Sequence, residues 1–124
     1  MTGEASTRVL RIAQGVREEL ASLLAGEVRD PGAEGAVITR VEVAGDLRSA
    51  RVHVRLLEGG DDPARRKRLL ASLTRAAGML RREVGQRLGL RYAPELRFFY
   101  DDGSDNASRV EQLLSEIEAE RRRK

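Results

Sequence analysis

The sequence predicts an α+β fold in which helices lie against a three-stranded sheet, and three observations predict it. Apolar residues recur at three- and four-residue steps over 7–25, 63–88 and 108–117. They alternate with polar residues over 37–44, 50–56 and 95–100, the period of a half-buried strand. Turn-forming residues (Asp30-Pro31-Gly32, Gly59-Gly60, Gly89 with Pro94) separate these segments.

The first helix carries Val9, Ile12, Ala13, Val16, Leu20, Leu23 and Leu24 on one side. Thr7 or Ser6 suits its cap, and Gly26 suits the left-handed position after its end. In the first strand Val37, Thr39, Val41 and Val43 alternate against Ile38, Arg40 and Glu42. In the second, Ala50, Val52, Val54 and Leu56 oppose Arg51, His53 and Arg55. The short Gly45–Ser49 connection makes these an antiparallel hairpin.

Asp62 and Pro63 then open a helical pattern that runs to Leu88, with Leu69, Leu70, Leu73, Ala76, Ala77, Leu80, Val84 and Leu88 apolar. That length, the interior Gly78 and the position of Arg87 beside the apolar stripe point to two helices meeting at a kink near Ala76-Ala77-Gly78. One continuous helix with a tolerated glycine is the alternative. Leu96, Phe98 and Tyr100 oppose Arg97 and Phe99 on the third strand, and Ser108–Glu111 reads as a capping box for the last helix. One domain is expected over 7–118, with a flexible start at 1–6 and a basic tail at 119–124.

The composition narrows function. With 124 residues and no cysteine, the chain has no disulfide, thiolate metal site or cysteine nucleophile. No apolar run approaches the ~18 residues needed to cross a bilayer, and no secretory signal opens the chain, so cytoplasmic is the plain expectation. His53, on the polar strand face, is read as a solvated structural residue. Asp101, Asp102 and Asp105 are read as turn and cap residues rather than a cation site. With no Walker loop, Rossmann fingerprint or nucleophile elbow, no enzyme, cofactor or small-molecule substrate is expected. The simplest expected state is a monomer.

Charge is concentrated where function is expected. Residues 61–91 carry nine basic side chains and three acids, a net of +6 in a chain whose formal total is +3. Such a block favours a polyphosphate partner; a solvated helix face, or a basic adaptor docking an acidic protein, are the alternatives. Arg68, Arg75 and Arg82 fall opposite the Leu73/Leu80 side, with Arg65 flanking them, Arg81 beside the kink and Arg91 closing the block. Small residues at Ala76, Ala77 and Gly78 would let a sugar–phosphate backbone come close, and a helix starting after the kink would add amide donors. Arginine forks match phosphate oxygens. The four aromatics, Tyr92, Phe98, Phe99 and Tyr100, are read as core rather than as a base-stacking platform.

Four stretches also carry a family resemblance: Arg8-Val9 through Glu27-Val28-Arg29-Asp30-Pro31, Asp46 through Val52, Ala76-Ala77-Gly78, and Leu90 through Asp101. In this order, over about residues 8–117, the sequence resembles the ribosome-binding factor A family. The resemblance implies a KH type II domain with a mixed sheet, in which an Ala-x-Gly kink stands where other KH domains have Gly-x-x-G. It also implies a non-enzymatic maturation factor that binds free small (30S) subunits and 16S rRNA, supporting 5′-end processing and growth in the cold. The family's RNA face would map to Arg65, Arg68, Arg75, Ala76, Ala77, Gly78, Arg81, Arg82 and Arg91. One departure stands: the family commonly has a basic residue after the Asp-Pro turn, where this chain has Gly32, so a phosphate contact from that loop does not carry over.

Overall fold

A computed structural model describes residues 6–103 of the chain. Its elements are α1 (Thr7–Gly26), a 3-10 turn (Pro31–Ala33), β1 (Ala36–Val43), β2 (Ser49–Leu56), α2 (Pro63–Leu88) and β3 (Glu95–Tyr100). The expected last helix and basic tail lie outside the described residues. Of the expected flexible start only Ser6 is described, and its hydroxyl caps α1 by accepting the Val9 amide at 3.1 Å. Among the described residues, no helix is long and apolar enough to cross a membrane.

Gly26 does not take the left-handed position expected of it; it is the last residue of α1, and Glu27 follows in a right-handed conformation. The Leu23 carbonyl accepts both the Glu27 amide at 2.7 Å and the Val28 amide at 3.1 Å, so the helix end closes without a left-handed residue.

The sheet order is β1-β2-β3, with β1 antiparallel and β3 parallel to the central β2. The hairpin between β1 and β2 has the predicted sense, and Val41 and Val43 take the predicted side, but Val37 and Ile38 at the start of β1 are on the opposite sides to those expected. A bulge between Ile38 and Arg40 pairs Ile38 with Val54, Val41 with Val52 and Val43 with Ala50. One extra residue in a strand shifts every side chain beyond it to the other face. Ile38 therefore joins the core and Thr39 becomes the inserted residue. The Thr39 hydroxyl donates to Asp101 Oδ2 at 2.7 Å, a bond that locks the bulge to the end of β3.

The core lies between the helices and one sheet face. α1 supplies Val16, Leu20 and Leu23, and α2 supplies Leu69, Leu73, Leu80 and Val84. The sheet adds Ile38, Ala50, Val52, Val54, Leu56 and Leu96, with Phe98 and Tyr100 packed at the margin. On the opposite face His53 is not solvated as expected: it is 6% exposed. Its Nε2 lies 2.9 Å from Glu42 Oε1 and 3.3 Å from Arg40 Nη2, and its ring lies 5.8 Å from that of Phe99. Long neighbours on paired strands cover it from water, as cross-strand pairs do.

α2 also departs from expectation. It is one helix of 26 residues, unbroken at Ala76-Ala77-Gly78, so no second helix start lies there. The Asp62 carboxylate accepts the Ala64 amide at 2.9 Å and Pro63 takes the first position, as predicted. Arg87 does not force a break, because α1 provides its partner: Nη1 lies 3.4 Å from Glu19 Oε1, and Glu83 is 3.8 Å away on the same helix. Gly89 ends α2 with φ 64, where a side chain would be strained, and the Leu90 amide reaches the Gly85 carbonyl at 2.9 Å.

Among the described residues no atom stands within 4 Å of where a Cβ on Gly78 would lie, and the residue is exposed. In an unbroken helix, Gly78→Ala should therefore raise stability by about 1 kcal/mol, read as a higher urea midpoint at unchanged slope. No gain would mean that the helix departs from regular geometry at this residue.

Candidate nucleic-acid interface

Residues seven apart on an α-helix stand almost in line, two turns above one another, so Arg68, Arg75 and Arg82 form a row on α2. Arg65 stands beside the row and Gly78 lies within it, between Arg75 and Arg82. All four arginines and Gly78 are exposed, and Ala76 and Ala77 are half-buried. The helix start expected after a kink is absent, so the groups here that could meet an anion are guanidinium forks rather than helix amides.

The turn after α1 closes one side of this row. Asp30 Oδ1 accepts the Gly32 amide at 3.0 Å, and Asp30 Oδ2 takes Arg75 Nη2 at 2.7 Å. A further bond of 3.2 Å from Arg75 to Ser72 Oγ steadies the guanidinium. Gly32 is needed for this approach: a Cβ there would lie 2.2 Å from Ser72 Oγ and 3.1 Å from the Arg68 carbonyl. At this position the chain brings backbone against α2. Between turn and helix lies a cleft of about 450 Å³ lined by Asp30, Gly32, Arg65, Arg68, Ser72 and Arg75. The Arg75 hydrogen bond, helped by the Gly32 amide, holds the Asp30 carboxyl below its ordinary value of 3.8. Asp30 is thus an anion at neutral pH and offsets part of the charge of Arg75.

The predicted arginines divide into two groups, apart from Arg82, which lines neither cleft. Arg65, Arg68 and Arg75 line this cleft, while Arg81 and Arg91 line a second one of about 610 Å³ beyond it, with Arg8, Arg48 and Tyr92. Arg81 Nε donates to the Ala93 carbonyl at 3.0 Å, so Arg75 and Arg81 both hold neighbouring loops. Arg65, Arg68 and Arg82 make no hydrogen bond or ion pair among the described residues. Arg66, counted in the basic block, is bound by structure: it donates to the Gly60 carbonyl, lies 3.7 Å from Asp102 and stands 4.5 Å above the Tyr100 ring.

Sequence reasoning missed Arg8 and Arg48, which reach the second cleft from α1 and the β1–β2 hairpin; only tertiary topology joins them. It also misplaced two aromatics. Phe98 and Tyr100 do pack on the core, but Tyr92 is 76% and Phe99 41% exposed. Tyr92 sits in the turn between Gly89 and Pro94, outside the alternation of β3, and Phe99 is on the sheet face that the helices do not cover. Asp101 is a turn residue as expected, taking the Thr39 hydroxyl and, through Oδ1, the Gly103 amide at 3.0 Å. These two bonds lower its carboxyl from 3.8 as well.

The family model described as ribosome-binding factor A matches residues 8–114. A protein of that name from Sorangium cellulosum is 49% identical over 110 residues, covering 89% of this chain and 88% of that one. One from Desulfitobacterium hafniense is 38% identical over 116 residues, covering 94% and 90%. Among solved structures, the solution structure of a Thermotoga maritima protein described as a candidate ribosome-binding factor A superposes with TM-score 0.66 at 30% identity. It covers 81% of this chain and 92% of that chain. A homology model of the Thermus thermophilus factor, fitted into a cryo-electron-microscopy map of its complex with the 30S subunit, has TM-score 0.53 at 21% identity, covering 78% and 96%.

A carboxylate whose value is lowered on folding stabilises the fold above its unfolded value and loses that contribution as pH falls through the lowered one. Asp30 and Asp101 both act in this sense. The double variant Asp30→Asn, Asp101→Asn should be less stable than the parent at pH 7, with the gap closing as pH falls below about 4. Thermal midpoints across that range check it; a gap that stays constant would assign both residues a role independent of charge.

Proposed function

Since this chain belongs to the ribosome-binding factor A family, we propose that it is a non-enzymatic maturation factor that binds free 30S subunits through 16S rRNA. In this reading it supports processing of the 5′ end of that RNA and growth in the cold. It works in the cytoplasm as a monomer, without cofactor or small-molecule substrate. The observation that carries the reading is the set of free guanidiniums at Arg65, Arg68 and Arg82 beside the exposed backbone of Gly78. Forked cations on a rigid helix bind phosphate oxygens, and a bare glycine between them lets a backbone settle between the side chains. The Thermus thermophilus factor, of the same fold, supports the choice of partner through its 30S complex.

The same three arginines set the test. Charge reversal at Arg75 or Arg81 would also cut the contacts that hold the Asp30 turn and the Ala93 loop, so it would confound binding with folding. Arg65→Glu, Arg68→Glu, Arg82→Glu avoids this. Co-sedimentation with isolated 30S subunits and with whole ribosomes, over a salt series, should show salt-sensitive binding to free subunits. In the triple variant the slope of log affinity against log salt should fall by about 3, with the urea midpoint unchanged. Full binding by the triple variant would remove α2 from the interface. Retention on an isolated acidic ribosomal protein, in place of RNA, would make the chain a protein adaptor.

A further inference from the structure

We infer that the second cleft is a separate binding site for single-stranded RNA, in which one base stacks on Tyr92 and the flanking phosphates meet Arg8, Arg48 and Arg91. The inference deepens the RNA reading above, on residues that reading does not use.

Three observations carry it. First, Arg8, Arg48, Arg81 and Arg91 come from four separate segments, the start of α1, the β1–β2 hairpin, α2 and the turn after it, and converge on one cleft of about 610 Å³. Among the described residues Asp46 is the one acid in its lining, and its Oδ1 is occupied by the Arg48 amide at 3.0 Å. Like charges gathered without paired acids raise the local anion density, and their mutual repulsion is relieved by a polyanion. Second, Tyr92 leaves 76% of its surface in water at the edge of this cluster, and the Arg91 guanidinium lies 5.5 Å from its ring centroid. The guanidinium stands over one face of the ring and leaves the other for a base, a pairing that suits single-stranded nucleic acid. The ring stacks any base and the cation takes the neighbouring phosphate. Third, the walls are held. Arg81 is bonded to the Ala93 carbonyl, Pro94 is fully buried, and Leu47 occupies the left-handed region at φ 64, a conformation unfavourable for leucine. The Leu47 amide donates to the Ala44 carbonyl at 2.8 Å, which fixes that conformation at the rim.

Among the described residues the cleft beside Asp30 has guanidiniums but no aromatic ring in its lining, so phosphate contact is what they offer. An acidic protein segment would use the arginines of the second cleft yet gain little from a ring face. Single-stranded RNA uses both.

The test is fluorescence anisotropy of fluorescein-labelled hexauridylate with the full chain over a salt series. Tyr92→Ala should bind roughly ten-fold more weakly, with an unchanged salt slope because stacking releases no counterions. Tyr92→Phe should stay within about two-fold of the parent, since the ring and not the hydroxyl does the stacking. Tyr92→Ala equal to the parent, or Tyr92→Phe as weak as Tyr92→Ala, would overturn the site. So would equal binding of a labelled oligoglutamate, which would show a surface that reads charge alone. The Arg65→Glu, Arg68→Glu, Arg82→Glu variant separates the two sites: Tyr92-dependent binding that persists in it upholds this cleft, even where 30S binding proves independent of α2.

Discussion

The structure depends on β2 and β3 being parallel neighbours. Antiparallel strands can be joined by a tight turn, but a parallel pair needs a crossover long enough to return the chain to the starting edge, and here α2 is that crossover. At 1.5 Å per residue its 26 residues extend about 39 Å, against about 26 Å for the eight residues of β2. The helix is longer than the strand it covers. Leu69, Leu73, Leu80 and Val84 bury one side of it on the sheet. Further contacts come from two loops that approach closely enough to require glycine or alanine. Gly32 meets Ser72 on one side, and Ala93 lies where a Cβ on Gly85 would be, 2.9 Å away. Each cleft forms where one of these loops meets the helix. The strand order thus settles where the arginines of α2 can point and which loops flank them.

That arrangement divides the basic residues into two working sets. Arg66, Arg75, Arg81 and Arg87 each hold another part of the chain: the Gly60 carbonyl and Asp102, the Asp30 turn, the Ala93 carbonyl, and Glu19 of α1. Exposed ion pairs of this kind contribute at most about 1 kcal/mol each, so their value is positional. They set the loops at fixed places beside α2. Arg65, Arg68 and Arg82 have no such task among the described residues. A count of charges over 61–91 cannot separate the two sets, because the separation depends on which acid or carbonyl the fold brings near.

Much of the fold was legible because it rests on local periodicity. The two described helices and three strands, the Asp62-Pro63 start and the Gly89 stop were each written in residues close to one another in sequence. What failed depended on contacts between distant residues. The face of Ile38 required the bulge that Thr39 makes with Asp101, 62 positions away. The burial of His53 required Glu42 and Phe99 on neighbouring strands. Arg87 looked out of place on an unbroken helix because its partner, Glu19, lies on α1. The candidate site was half legible: the arginine row follows from helical spacing, whereas Arg8 and Arg48 reach their cleft only through topology.

Gly78 shows how a feature can be noticed in a sequence and given the wrong physical cause. A glycine inside a helical pattern suggests a break, since it lowers helix stability by about 1 kcal/mol relative to alanine. The helix does not break there. Among the described residues neither of the usual internal reasons for a glycine applies, because the backbone is helical and no described atom approaches the missing Cβ. A residue that weakens its own helix, with open space before it and the free guanidinium of Arg82 one turn beyond, serves no contact within the described chain. In the proposed function the missing side chain lowers the surface of α2 at one point, so that an RNA backbone would come within reach of Arg65, Arg68 and Arg82, which no other described residue bonds.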